Sequence, residues 1–297
     1  MVNTFNEAAS YSLVKETIKN VCQKYKFDEN EVQFLALGGQ SVLFLIRRTK
    51  QILKIPSYIK RPSEEHFLLK HGIIKEGEVL RYCDSNFVPS LFDVSSEGEY
   101  LIREYIEGYT LMKLVKNINT HSQDKKIMIE KLFYMAKHTF KDFHENKRGN
   151  YVIRDFKPAN IVYDETGGRF FLVDVGSIRP ESDMVAKTSN PYRLGSGKWL
   201  HWSPEQLLGK KEELDRRTDY FAFGSTAYYV LTGSAPFSNS ETNPERIIDV
   251  YLNEYKTVTK TLKKLNDKLQ IYPQKMDFII KCLYPLPSKR AFDFANA

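Results

Sequence analysis

Disulfide chemistry is the first resource this chain lacks. Its three cysteines, Cys22, Cys83 and Cys282, lie far apart and form no C-x-x-C pair, so the pattern excludes both a disulfide framework and a cysteine-based metal site. They read as reduced thiols, mostly buried, in a cytoplasmic protein. No apolar run approaches the ~18 residues of a membrane span. The opening Met1-Val2-Asn3-Thr4-Phe5-Asn6-Glu7 has neither the basic nor the apolar block of a signal peptide. Neither an internal repeat nor a nucleic-acid-binding module is present. Tryptophan is scarce: the only two, Trp199 and Trp202, fall in one short stretch.

What the chain does have is apolar and aromatic mass. Of 297 residues, 42% are hydrophobic, with 18 Tyr and 19 Phe, which is enough for a packed core and excludes a disordered chain. The length fits one large or two small domains. The net charge is +7, from 44 basic and 37 acidic side chains. The lysines are interspersed with acids on helical stretches such as 125–137 and 256–264, the pattern of solvated helix faces. A basic groove that favours ATP and acidic partners is the sharper alternative.

Periodicity divides the chain near residue 107. Residues 7–26 carry Leu13, Val14, Ile18, Val21, Cys22 and Tyr25 on one helical stripe, a face that a partner could use. Strands are expected over 32–36, 41–48 and 51–55, a helix over 63–83, and a hairpin from 91–95 with 99–104. Beyond Gly108 the pattern turns helical, over 110–118, 124–146, 216–232, 243–254, 259–267 and 274–283.

Residues 151–176 carry the chemistry. Asp155, Lys157 and Asn160 stand in the order R-D-x-K-x-x-N, followed by a Thr166-Gly167-Gly168 turn, an apolar strand from Phe170 to Val173, and Asp174-Val175-Gly176. This stretch resembles the catalytic loop and metal-binding segment of eukaryotic-type (Hanks-type) Ser/Thr protein kinases. Other segments extend the resemblance to about residues 32–294. Ile52-Leu53-Lys54 resembles the strand with the family lysine, and alternation puts Lys54 on one face with Ile52. Glu76 and Glu78 compete to be its carboxylate partner, and the E-x-x-x-L spacing to Leu80 selects Glu76. Gly77 weakens that helix by about 1 kcal/mol against Ala, which points to a mobile element. Ser203-Pro204-Glu205, Asp219 in R-T-D-Y-F-A-F-G, and Arg290 in P-S-K-R match downstream markers that hold a protein-substrate platform.

The resemblance implies an α+β, bilobal fold. It would have an N-terminal helical extension (1–31), a small antiparallel-sheet lobe with one helix (32–107) and a larger, mainly helical lobe (108–297). It implies ATP and Mg²⁺ as cofactors, with Mn²⁺ an alternative ion, and transfer of the γ-phosphoryl group to Ser/Thr hydroxyls of proteins, this chain among them. Asp155 would orient the acceptor hydroxyl, Lys157 and Lys54 would neutralise phosphates with Glu76 supporting Lys54, and Asn160 and Asp174 would ligate the metal. Ala36, Gly38, Gly39, Ser41, Leu43, Ile52, Glu104, Ile106 and Val162 would surround the nucleotide, Glu104 and Ile106 by a backbone carbonyl and N–H. Glu205 would pair with Arg290. Arg154 would receive a phosphate placed on Thr188, Ser189 or Ser196.

Several positions depart from the family. The glycine loop keeps Gly38 but has Ala36 and Ser41 for its outer glycines. Ile153 and Val175 replace a histidine and a phenylalanine, and with Leu80 make an aliphatic column. Arg103 stands at the back of the nucleotide pocket and needs a carboxylate, with Asp174, Glu76 and Glu78 as candidates, unless the register turns it outward. Lys198 stands where the family has Thr, or the loop has two extra residues. These departures keep two alternatives open, a small-molecule or lipid kinase and a pseudokinase acting as a binding module.

Overall fold

The computed structural model describes residues 12–38, 40–58, 63–83, 85–117, 122–146, 149–184, 200–237, 243–291 and 293–294. The chain is α+β and falls into two compact units, Met1–Ile106 and Glu107–Ala297.

The first unit is built on a five-stranded antiparallel sheet of β1 (Val32–Leu37), β2 (Ser41–Ile46), β3 (Gln51–Pro56), β4 (Leu91–Val94) and β5 (Leu101–Glu104), in the order β1-β2-β3-β5-β4. Period-2 alternation assigns its faces. Val42, Phe44 and Ile46 of β2, Leu53 and Ile55 of β3, and Ile102 of β5 share one buried cluster. Helix α1 (Ser12–Tyr25) brings Val14 and Val21 into that same cluster, with Ile18 and Tyr25 packed against it. The apolar stripe read in the sequence as a face for a partner thus packs within its own unit, all but Leu13, which stays exposed. Helix α2 (Ser63–Tyr82) also belongs to this unit and packs on β3, β4 and β5.

A polar clamp fixes the last turn of α1. Asp93 on β4 accepts hydrogen bonds from Tyr25, from Tyr100 at 3.0 Å and from Lys24 at 3.2 Å, while Lys24 also donates to the Tyr100 hydroxyl at 2.7 Å. Burial alone would raise the Asp93 carboxyl, but these three donors outweigh it and hold the group below its ordinary value.

The second unit is mainly helical. It comprises β6 (Gly108–Thr110), α3 (Leu111–Asn117), α4 (Ser122–His144), β7 (Tyr151–Val152), β8 (Ile161–Asp164), β9 (Arg169–Leu172), β10 (Arg179–Pro180), α5 (Pro204–Leu207), α6 (Arg216–Thr232), α7 (Pro244–Leu269) and α8 (Pro273–Cys282). Helix α6 is buried on all sides, from Thr218 to Leu231 with the exception of Tyr229, and has no polar face. Its Phe223 meets Phe133 and Phe140 of α4, Phe278 of α8 and Phe294 edge-on or tilted. Helix α7 is one continuous element where the sequence suggested two. The buried stripe Ile247, Tyr251, Val258, Leu262 and Leu269 runs unbroken through the β-branched stretch 257–259, and packing overrides weak local propensity there. Gly108 cannot carry a side chain, because at φ +154° a Cβ would sit 1.8 Å from the Tyr163 carbonyl of the paired strand β8. None of the described helices is long and apolar enough to cross a membrane.

The Asp93 clamp makes a pH-dependent contribution with a defined sign. A carboxyl held below its ordinary value binds fewer protons in the fold than in the unfolded chain, so its stabilisation is complete above the unfolded value of 3.8 and is lost as pH falls through the folded one. Asp93→Asn should therefore be less stable than wild type to urea at neutral pH by an amount that holds down to about pH 5 and closes below about pH 4. A gap that is unchanged at pH 3 would remove the Asp93 charge from the clamp.

Candidate active site

Two clusters of chemically competent side chains stand out, one in each unit. In the first unit, Lys54 Nζ lies 2.6 Å from Glu76 Oε2, and both side chains are almost fully buried. The strand register explains the lysine. Lys54 opposes Leu101 and Ile52 opposes Arg103, so Lys54 and Ile52 project from the face opposite the α1 core. Of Glu76 and Glu78 on α2, Glu76 is the one that meets Lys54, while Glu78 pairs at the surface with Lys75. A buried pair of this kind contributes little net stability, but losing one partner strands a charge.

Gly77 has a different role from the one its helix propensity suggests. A Cβ there would lie 2.8–2.9 Å from three carbons of Val94 on β4. The glycine lets α2 approach the sheet closely enough for its neighbour Glu76 to reach Lys54, so it is a packing device.

The segment 36–43 forms the β1–β2 hairpin, with Ala36 opposite Leu43 and Leu37 opposite Val42. The Gly38 N–H donates to the Ser41 carbonyl at 2.8 Å and closes the turn. Gly39 lies outside the described residues. Arg103 is buried on β5, which removes the outward-facing register. Its Nη1 donates to the Glu104 carbonyl at 2.9 Å, a backbone partner that the sequence did not suggest. Ile106 is buried two residues on.

In the second unit, Asp155 is the centre. Lys157 Nζ donates to both of its carboxylate oxygens, at 2.8 and 2.7 Å. Asn160 Nδ2 donates to its backbone carbonyl at 3.0 Å and to Oδ2 at 2.8 Å. The Val173 N–H in turn donates to the Asn160 carbonyl at 2.9 Å, which draws the strand end carrying Asp174 to the same loop. Asp174 Oδ1 accepts from the Gly176 N–H at 3.2 Å. Val162 is buried on β8 opposite Phe171. Ile153, Val175 and, in the first unit, Leu80 are all buried and aliphatic.

The loop carrying Asp155 is held by α6. Arg154 has φ +69°, a left-handed conformation that costs a non-glycine residue of order 1–3 kcal/mol. Asp219 offsets that cost by accepting the N–H groups of Ile153 at 2.8 Å and Arg154 at 2.7 Å. Gln206 Nε2 donates to the Arg154 carbonyl at 2.9 Å, and Thr226 Oγ1 to the Phe156 carbonyl at 3.3 Å. His144 Nε2 lies 2.8 Å from Asp219, and because a carboxylate only accepts, Nε2 carries the hydrogen.

The segment from Ser203 is anchored as firmly. Arg290 makes a bidentate pair with Glu205, at 2.6 and 2.8 Å, both fully buried. Three further Arg290 bonds go to the carbonyls of Arg217, Tyr284 and Pro285, and Thr218 Oγ1 donates to Glu205 at 3.0 Å. His201 Nδ1 lies 2.8 Å from Ser225 Oγ, and burial, helped by the Lys157 cation, lowers its pKa to about 4, so the ring is neutral at physiological pH. His144, His201, Gln206 and Thr226 were not singled out in the sequence. Only Gln206 left a signal there, the third residue after Ser203 in a capping box. Thr188, Ser189, Ser196, Lys198 and Trp199 lie outside the described residues.

Comparison with known proteins agrees with this geometry. A family described as protein kinase domain matches residues 31–292, and the chain belongs to that family. It is similar to a probable serine/threonine-protein kinase of Clostridium acetobutylicum, 26% identical over 274 residues that make up 90% of this chain and 38% of the relative. It is similar also to the serine/threonine-protein kinase PrkC of Bacillus subtilis, 27% identical over 69% of this chain and 29% of the relative. A third is PknB of Mycobacterium leprae, a serine/threonine-protein kinase 30% identical over 50% of this chain and 24% of the relative. The chain thus spans well under half the length of these curated relatives.

The contact at Gly77 predicts a reversal of sign. In wild type, Gly77→Ala should lower stability in denaturant unfolding by about 1–3 kcal/mol, because the stiff Val94 cannot yield. In a Val94→Ala background the same change should raise stability by up to about 1 kcal/mol, the ordinary helix gain. The same sign in both backgrounds would show that Val94 is not what limits the site.

Proposed function

We propose that this chain is a protein serine/threonine kinase that uses ATP and Mg²⁺ and phosphorylates protein hydroxyls, its own among them. The observation that carries this reading is the Asp155 carboxylate held between the Lys157 ammonium and the Asn160 amide on a loop whose backbone is clamped by Asp219. A carboxylate fixed in that way can orient an acceptor hydroxyl and take its proton as the oxygen bonds to phosphorus and the bond to the departing ADP breaks. Lys157, already on Asp155, is placed to neutralise charge on the transferring group, and Lys54, oriented by Glu76, to do so on the phosphates of the nucleotide. Backbone groups of Glu104 and Ile106 would meet the base.

The donor set fits a hard cation. Asn160 commits its amide nitrogen to Asp155, which turns Oδ1 into the ligating atom, and Asp174 adds a carboxylate. These two residues would hold Mg²⁺, which when bound supplies positive charge to the phosphates.

Protein rather than small-molecule acceptors are supported by the buried Glu205–Arg290 pair beneath Ser203-Pro204 and by the names of the relatives. The three free cysteines suit a cytoplasmic setting. The unit at 107–297 is read as the acceptor-binding and catalytic portion, and that at 32–106 as the nucleotide-binding portion.

Asp155→Ala should cut phosphate incorporation from γ-labelled ATP into a generic protein substrate by about 10²–10⁴-fold while nucleotide affinity stays within about threefold. Asp174→Asn should instead weaken Mg²⁺-dependent nucleotide binding and transfer together. Wild-type turnover by the Asp155 variant would overturn the assignment of the base, and Mg²⁺-independent binding in wild type would overturn that of the metal ligands.

A further inference from the structure

The second unit holds a cavity of about 400 Å³ that none of the proposed chemistry uses. That volume lies within the ~300–1,000 Å³ of small-molecule sites. Its wall includes His144 at the end of α4, Tyr151 on β7, Glu181 just past β10, Asp215 and Arg217 at the start of α6, and Ser288.

Three of these side chains offer polar atoms that the protein does not use. Arg217 Nε donates to both Asp215 oxygens, at 3.0 and 2.8 Å, and Nη2 donates to Asp215 Oδ2. The pair fixes the plane of the guanidinium and leaves Nη1 with no partner among the described residues. The Glu181 carboxylate is half-buried and makes no hydrogen bond or ion pair among the described residues. His144 is the most enclosed, with a side chain only 4% exposed. Its Nε2 is committed to Asp219, and with the hydrogen there Nδ1 is left as an acceptor that meets no donor among the described residues. A buried acceptor on the wall of a cavity calls for a donor from whatever fills it. The Tyr151 and Ser288 hydroxyls are likewise uncommitted among the described residues.

The charges on the wall cancel, because Arg216 and Arg217 stand against Glu181 and Asp215. A simple anion would leave Glu181 without a counter-charge, and a simple cation would leave Arg217 Nη1 without an acceptor. A ligand that carries both charges satisfies both. An ammonium brings three donors and no acceptor, which suits Glu181 and His144 Nδ1, and a carboxylate suits a guanidinium edge and a hydroxyl.

We propose that this cavity binds a small zwitterion of the α-amino-acid class, its carboxylate on Arg217 and its ammonium on Glu181 and His144. The same imidazole holds Asp219 with its other nitrogen, so the occupant lies one ring away from the carboxylate that clamps the Asp155 loop.

The site needs no nucleotide, so isothermal titration calorimetry of the full chain without ATP or Mg²⁺ tests it independently of the kinase reading. Each common L-α-amino acid is titrated in turn, and at least one should bind with a Kd at or below about 1 mM. For the tightest of them, N-acetylation removes the ammonium and methyl esterification removes the carboxylate. Each derivative should bind about tenfold more weakly or worse, the worth of one charge-assisted hydrogen bond. Glu181→Gln should weaken the parent amino acid as much, and the change keeps the side chain's shape and breaks no hydrogen bond among the described residues. Binding weaker than about 1 mM by every amino acid overturns the proposal. So does a loss smaller than about tenfold in either derivative, because the cavity would then read one charge alone, or in Glu181→Gln, because the ligand would then sit elsewhere.

Discussion

The Asp219 carboxylate is the point on which the second unit of this protein turns. It is buried in a helix that has no polar face, so its charge is tolerable only because three donors surround it: the N–H groups of Ile153 and Arg154 and the His144 ring. Two of those donors belong to the loop that carries Asp155, and one of them belongs to a residue in a left-handed conformation that would otherwise relax. The apolar packing of α6 against α4 and α8 thus decides where the Asp155 carboxylate stands. Thr226 and Ser225, further along the same helix, reach the Phe156 carbonyl and His201, so one rigid element positions both the catalytic loop and the segment before Ser203. The proposed chemistry would be executed by a loop that a core element places.

The first unit solves a different problem, which is to place a cation without losing it to solvent. Lys54 lies on a buried strand, and its partner comes from a helix that must approach the sheet closely. Gly77 permits that approach, and Val94 sets its limit. The neighbouring Glu78 has the same chemistry as Glu76 but points to the surface, and about 200° of helical rotation separates their roles.

Much of this was legible in the sequence because it rests on spacing. Lys54, Glu76, Asp155, Asn160, Asp174, Glu205, Asp219 and Arg290 each stand in a motif spacing that the resemblance to protein kinases picks out. What was not legible depends on contacts between distant segments. Gly77 reads as a weak helix residue until Val94 is placed beside it. The stretch 255–258 reads as a break in a helix until its neighbours bury one stripe from Ile247 to Leu269. Arg103 also donates to the Glu104 carbonyl one residue away, a contact that no spacing announces. The two-residue strands β7 and β10 are too short to show any alternation.

The placement of α1 has a consequence for how this protein is cut. The family resemblance starts at residue 31, yet Val14 and Val21 supply part of the same buried cluster as Phe44, Leu53 and Ile102. A fragment trimmed to the family boundary would keep every residue of the proposed chemistry and bare to water the part of the buried cluster that Val14 and Val21 cover, an apolar patch of the kind that draws chains together. Such a fragment would fail in the test tube as a colloid before it failed as an enzyme. Shared ancestry marks one edge of this domain, and the wetting of its sheet marks another, at least nineteen residues earlier, at Ser12.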